Sequence, residues 1–170
     1  MSRKRSFPHV TDANTRLLIL GSLPGEASLA QSQYYAHPQN KFWKLVGDSI
    51  GIELAALDYE TRLFVLLENH IGLWDVIANA QRLGSLDSNI RDHSQNDLLA
   101  LIDALPELDT IAFNGGTAAK IGIKALAQRA DDYRILLLPS SSPAYASLSY
   151  DQKLVVWRHL KTPNSLSEFD

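Results

Sequence analysis

The chain has 170 residues, 45% of them apolar and 21% charged, with a formal net charge of −3; that is enough chain for one globular unit with a sizeable core. The mild acidity argues against a broad nonspecific nucleic-acid footprint, though not against a local one. There is no cysteine, which excludes disulfides, iron–sulfur clusters, thiolate zinc sites, a thiol nucleophile and the zinc base deaminases that use cysteine ligands.

Residues 1–14 read as a polar, flexible arm, ahead of a single domain over 15–162 and a tail over 163–170. The arm's Arg3, Lys4 and Arg5 are followed by Phe7-Pro8 rather than an apolar stretch, unlike a signal peptide, and no apolar run approaches the length of a membrane span. A cytoplasmic protein without membrane contact is expected. Residues 17–20 form a buried strand that empties into the tight turn Gly21-Ser22-Leu23-Pro24-Gly25. A short helix over 26–31 leads to a loop holding Tyr34, Tyr35, His37, Asn40, Phe42 and Trp43, more rings and amides than an ordinary connection needs. Asn40 precedes an amphipathic helix over 41–50, and a third helix over 59–69 puts Leu63, Leu66 and Leu67 on one face. A second strand over 71–77 runs into a long polar loop over 78–94.

Asn96 is placed to cap a helix whose Leu98, Leu101, Ile102 and Leu105 share a face, and Pro106 closes it. A third strand over 110–113 turns through Asn114-Gly115-Gly116 into a helix over 117–129. A fourth strand over 135–138, continuously apolar as a central strand should be, empties into Pro139-Ser140-Ser141-Ser142-Pro143. Ser149 and Gln152 form a capping box that starts the last helix. Strands alternating with helices imply an α/β fold, a three-layer α/β/α sandwich around a central, mostly parallel four-stranded sheet. The loops after the strands then gather at one rim, where such sheets build their sites.

Those loops offer glycine and serine turns, whose backbone N–H groups and hydroxyls suit phosphate, and aromatic rings beside amides, which suit a flat heterocycle. Together they suggest one nucleotide of a polymer with its base drawn into a pocket. Each piece also has a plainer reading: Asn40 as a helix cap, Phe42 and Trp43 as core, His37 as a loop residue, the serine run as a solvated turn, Asn114-Gly115 as a corner, Asp75 as a structural carboxylate. It is their placement after successive strands that carries the reading. No glycine-lysine-serine or glycine-lysine-threonine follows a glycine turn, Ser22 falls one place early for a nucleophile elbow, and the five histidines never adopt a metal-ligand spacing. Neither a metal nor a cofactor is expected.

At these loops the sequence resembles the uracil-DNA glycosylase superfamily. LILGSLPGEASLAQSQYYAHPQNKFW is similar to the first motif of the mismatch-specific uracil and thymine glycosylases, LPSSSPAYA to their second, and GLWDVIANAQRLGSLDSNI sits where they carry a pocket segment. Leu23 stands where those relatives hold a water-positioning asparagine, and Ser140 where their second motif opens with histidine or asparagine. The combination of GSLPG, YYAHPQNKFW, GSLDS and FNGG resembles the family 6 branch, the hypoxanthine-DNA (deoxyinosine) glycosylases.

The resemblance implies a monofunctional DNA glycosylase that removes a deaminated base, hypoxanthine first, in base excision repair, with Asn40 catalytic and Tyr35 stacked on the flipped base. Gly21, Ser22 and Leu23 would line the base pocket and Asn114 would read a base edge. Ser140, Ser141 and Ser142 would grip the flanking phosphates while Pro143 and Tyr145 wedge the vacated stack. Asp75 or Asp87 would add carboxylate stabilisation. The partner is double-stranded DNA with a damaged or deaminated base, mispaired sites reacting fastest, and nothing demands more than a monomer. Three other readings stay open: uracil or mismatch-specific uracil/thymine excision, a noncatalytic nucleic-acid-binding module of the same fold, and a hydrolase of free nucleosides.

Overall fold

The computed structural model describes residues 3–161, so the start of the arm and the tail over 163–170 lie outside the described residues. In chain order the elements are β1 (Lys4–Arg5), β2 (Leu17–Gly21), α1 (Glu26–Gln31), α2 (Phe42–Ile50), α3 (Tyr59–Glu68), β3 (Ile71–Asp75), β4 (Ile77–Gln81), β5 (Arg91–Gln95), α4 (Leu98–Asp103), β6 (Thr110–Asn114), α5 (Gly116–Leu126), β7 (Arg134–Leu138) and α6 (Tyr150–Trp157). Four of these strands form a parallel sheet in the order β3-β2-β6-β7. Side chains alternate across a strand, so Leu17 and Ile19 face a core built with α2, α3 and α6 through Phe42, Trp43, Leu66 and Trp157. Leu18 and Leu20 face a second core, with Leu98, Leu101, Ala118 and Leu126 of α4 and α5. The result is the three-layer α/β/α sandwich with a central parallel four-stranded sheet.

Register explains where a site can form. Gly21 pairs with Asp75, and Leu20 with Phe113, while Asn114 pairs with Leu138. The carboxyl ends of the strands therefore stop level with one another, and the loops that leave them share one rim.

Four local expectations are corrected. The strand expected to be central, β7, lies at the sheet edge and leaves Leu137 60% exposed, whereas every residue of β2 and β6 is buried. The stretch 78–94 is no loop: β4 and β5 pair antiparallel, with irregular register, and β1 joins the other edge of β4. The arm is attached along much of its length. Arg5 pairs with Asn79, Val10 bridges Leu73, Trp74 Nε1 donates to the Phe7 carbonyl at 3.0 Å, and the Phe7 ring meets Tyr34 edge-on at 5.2 Å. The cap of α4 is Asp97, which accepts from the Ala100 N–H at 3.0 Å. Asn96 instead donates to the Asp75 carbonyl at 2.7 Å and to Ser6 Oγ at 3.0 Å, pinning the end of β3. Among the described residues no helix is long and apolar enough to cross a membrane.

The fit of α5 on the sheet can be tested at Gly122. A Cβ there would lie 2.2 Å from Cε1 of the fully buried Phe113. Alanine at a helix interior normally gains about 1 kcal/mol over glycine, but overpacking a rigid ring costs about 1–3 kcal/mol. Gly122→Ala is expected to lower the stability measured by urea unfolding; a gain would contradict this packing.

Candidate active site

A cavity of about 510 Å³ opens at the rim, lined by residues of the β2 turn, the aromatic loop, the ends of β3 and β6, and the serine segment after β7. That volume falls within the range for small-molecule sites. Its floor is the end of the sheet. Gly21 sits there between Asp75 and Tyr35: a Cβ at this position would come within 2.7 Å of both Asp75 Oδ1 and Tyr35 Oη. Tyr35 adopts a left-handed backbone, φ 54°, which is sparsely populated for a bulky residue, and its ring stacks on Phe42 at 3.8 Å and 15°. Phe42 therefore covers one ring face, and only the other remains for a ligand. Asp75 is 3% exposed, and its carboxyl is pushed up to about 7, first by burial, then by the charge of Asp87, against the opposing pull of Arg82. Burial, then the Asp75 charge, raises the Tyr35 hydroxyl pKa as well.

The wall beside this floor is built on Arg82, a residue that nothing in its sequence neighbourhood singles out. Its side chain has no exposed surface. The guanidinium donates to the Pro24 carbonyl, to the Leu23 carbonyl at 3.5 Å and to the Gly84 carbonyl at 3.1 Å. It also lies 3.7 Å from Asp87 Oδ1, which accepts from Ser22 Oγ at 2.7 Å. One buried cation thus ties the glycine turn to the loop after β4. Burial lowers the Arg82 pKa while Asp87, Glu26 and Asp75 oppose that loss; burial raises the Asp87 carboxyl, opposed by the Ser22 hydrogen bond and by Arg82. Ser85, of the GSLDS motif, accepts from the Glu26 N–H at 2.9 Å and fixes the same junction. Leu23 turns its side chain into the core with Leu20 and Val76, and places no polar group at the turn.

The other wall joins Asn40 to the serine segment. The cap position of α2 is Lys41, which makes no side-chain cap bond, so Asn40 is not the expected cap. It stands one residue earlier, where its Oδ1 accepts from the Phe42 N–H at 2.9 Å, and it is half-buried and lines the cavity. The next N–H, of Lys41, donates to the Ser141 carbonyl at 3.0 Å. Ser141 is buried, and its N–H and hydroxyl both engage the two ends of the Asn114 amide at 2.9 Å. This pairing ties Asn114, expected to read a base edge, and Ser141, expected to hold phosphate, to each other, and leaves the Asn114 amide one N–H and one lone pair at the cavity, near the Tyr35 hydroxyl. Ser140 and Ser142 remain. Their hydroxyl oxygens accept from the N–H groups of Ser142 and Ala144, which leaves each O–H free to donate outward. Pro143 and Tyr145 are exposed beyond them, with the buried Lys153 donating to the Ser142 carbonyl at 3.3 Å and lying 5.4 Å from the Tyr145 ring. His37 sits on the cavity edge, where its Nδ1 accepts from the Gln39 N–H.

The profile of the Uracil DNA glycosylase superfamily matches residues 7–161. The chain belongs to that superfamily. Within it, the chain is 44% identical over 159 residues to a Methanosarcina acetivorans protein named hypoxanthine DNA glycosylase, covering 92% of this chain and 99% of the relative. It is 44% identical over 142 residues to a Methanosarcina barkeri protein of the same name, covering 84% and 88%. A solution NMR structure of a Methanosarcina acetivorans protein described as a candidate uracil DNA glycosylase superposes with a TM-score of 0.81 at 44% identity, over 94% of this chain and 99% of that one. The superfamily assignment agrees with the resemblance carried by the rim motifs, and these motifs do line one cavity in this member of the superfamily.

The raised Asp75 carboxyl has a consequence for stability. A carboxyl whose pKa rises on folding makes the native state bind more protons than the unfolded chain. Its effect on stability is therefore absent below about pH 4 and grows into a penalty as the pH climbs toward 7, of order 4 kcal/mol once complete. Asp75→Asn removes that penalty. Thermal unfolding is expected to show the variant gaining more over wild type at pH 8 than at pH 4; a gain that does not change with pH would contradict the buried, unpaired carboxyl.

Proposed function

We propose that this protein is a monofunctional DNA glycosylase that hydrolyses the N-glycosidic bond of hypoxanthine in double-stranded DNA. The observation that carries this reading is the joining of the Asn40 turn to the serine segment, through the Lys41 N–H and the Ser141 carbonyl, along one wall of a cavity of about 510 Å³. The reading is supported by the 44% identity, over nearly the whole chain, to proteins named hypoxanthine DNA glycosylases.

Hydrolysis breaks C1′–N9, joins a water oxygen to C1′ and passes a proton to the departing base. The transition state resembles an oxocarbenium sugar with negative charge on the leaving purine, so catalysis needs a placed water and donors near that charge. The Asn40 amide retains one Oδ1 lone pair and its N–H donors after accepting from Phe42, and can orient a water without acting as a base. The free hydroxyl hydrogens of Ser140 and Ser142 suit the phosphates on either side of an extruded nucleotide, and Pro143 and Tyr145 suit the gap it leaves in the stack. Asn114 acts one step back, holding Ser141 so that the segment keeps its shape. The buried apolar Leu23 supports the same division of labour, because the turn supplies no amide for water and the task falls to Asn40. Among the described residues no lysine lines the cavity, which favours a single hydrolytic step that leaves an abasic site.

Release of base from a duplex with one deoxyinosine opposite thymine tests the function, with a uracil duplex and free deoxyinosine alongside. Hypoxanthine release above the blank is expected from the first duplex; none would reject the enzyme reading. The catalytic role of Asn40 can be separated from its hydrogen bond to Phe42 with two variants. Asn40→Ser keeps an oxygen for the Phe42 N–H and is expected to hold stability while cutting the single-turnover rate about 10²-fold or more. Asn40→Ala is expected to lose the rate and about 1 kcal/mol of stability together. Full activity in Asn40→Ser would reject the amide as a catalytic group.

A further inference from the structure

Tyr35 Oη and Asp75 Oδ2 are the two buried side-chain polar atoms that find no hydrogen-bond partner among the described residues. Folded proteins rarely leave such groups unpaired, because each orphan retains its full desolvation penalty, so each calls for a reason. Here the two fall on either side of one glycine, at the floor of one cavity. Any side chain at position 21 would fill the gap between them. The absent partner is thus common to both groups. A ligand edge that offers a hydrogen-bond donor next to an acceptor satisfies both: the phenol hydroxyl donates, and the carboxyl in its ionised form accepts.

Resting on the proposed function, the geometry points to Tyr35 and Asp75 as the pair that reads the lactam edge of the extruded base, Tyr35 O–H donating to O6 of a 6-oxopurine and Asp75 accepting from its N1–H. Deamination is what creates that edge. Adenine presents an N6 amino donor beside the N1 acceptor; hypoxanthine presents the O6 acceptor beside an N1–H donor. The pair complements the deaminated base and opposes the parent at both positions. A site built to hydrogen-bond one pattern rejects a base that leaves its groups unpaired by factors that reach about 10⁴. The substrate class assigned to the floor is therefore the lactam base. Guanine carries the same edge, so its exclusion has to act at its 2-amino group. The hydroxyl and the carboxyl are shut off from bulk water, so a base edge that reaches them meets little competition from solvent. On this assignment Asp75 is a specificity-determining group rather than a stabiliser of the sugar cation. The half-buried Asn40 and Ser142 lie toward the rim, and Asp75 and Tyr35 Oη at the buried end.

Tyr35→Phe isolates the claim, since it keeps the stack on Phe42 and removes only an unpartnered hydroxyl. It is expected to leave the unfolding temperature unchanged or raised, and to slow single-turnover release of hypoxanthine from a deoxyinosine duplex about tenfold. On a duplex carrying 2′-deoxynebularine, a purine without O6, the variant and wild type are expected to react at equal rates, however slow both are. A Tyr35→Phe protein as fast as wild type on deoxyinosine would overturn the assignment while leaving the glycosylase reading intact. So would an equal loss on both lesions, or a drop in unfolding temperature, which would make the hydroxyl structural. Wild-type protein that releases nothing from deoxyinosine would instead overturn the function, and the pair's role with it.

Discussion

A single guanidinium holds the candidate site together. Arg82 leaves β4 and buries its charge under the turn that follows β2, where it donates to the carbonyls of Leu23, Pro24 and Gly84 and faces Asp87. A glycine turn at a strand end has few backbone partners of its own, and unpaired buried carbonyls are costly. Arg82 supplies those partners with the planar fork that lysine lacks. A buried cation is in turn tolerable only when it is paired and hydrogen-bonded, which accounts for Asp87, whose Oδ1 also accepts from Ser22 and so carries the constraint back to the turn. Lys4, from β1, donates to the same Gly84 carbonyl and pairs with Glu26. The small antiparallel sheet is thereby the scaffold for one wall of the cavity, which gives the pairing of Lys4 and Arg5 with it a role.

This wall fixes the electrostatics of the floor. Arg82 draws the Asp75 carboxyl down and Asp87 pushes it up, and burial outweighs both. The floor retains an uncompensated carboxyl, an unpartnered hydroxyl and a tyrosine in a left-handed backbone. Each of these lowers stability, and each lies within reach of the same glycine. Destabilising features gathered at one point of an otherwise well-packed fold mark a site kept ready for a ligand. The opposite wall is settled by ordinary means, with the Asn114 amide clasping Ser141 and Lys41 reaching its carbonyl. Between a rigid floor and two tied walls, the groups proposed to face the sugar and the base need little rearrangement, which is the condition for preorganised catalysis.

Much of this was legible in the sequence because local signals agreed with the fold. The apolar runs at 17–20 and 110–113 coincide with strands buried on both faces, and Ser149 with Gln152 makes the capping box its spacing implies. The rim motifs were readable because strand-end loops in a parallel sheet must converge. What stayed hidden depended on distance across the chain. Arg82 lies in a polar stretch, and nothing in its neighbours shows that a carbonyl 58 residues earlier is its partner. The five residues of β5 are all exposed, so no alternation of apolar side chains announces a strand. A run such as Ile135-Leu136-Leu137-Leu138 reports apolar surroundings but not whether a neighbour lies on both sides. Asn96 and Asp97 are equally able to cap, and only the position of Asp75 decides which one does.

The central claim is that an extruded deaminated base occupies the cavity over Gly21, with its lactam edge down and its sugar toward Asn40. A crystal structure of the protein bound to duplex DNA carrying 2′-fluoro-2′-deoxyinosine, whose glycosidic bond resists cleavage, tests it most directly. The account predicts O6 and N1 within about 3 Å of Tyr35 Oη and Asp75, with the flanking phosphates on Ser140 and Ser142. A base still stacked in the duplex, or one seated in the separate cleft beside His9, Trp74 and Leu101, would contradict it.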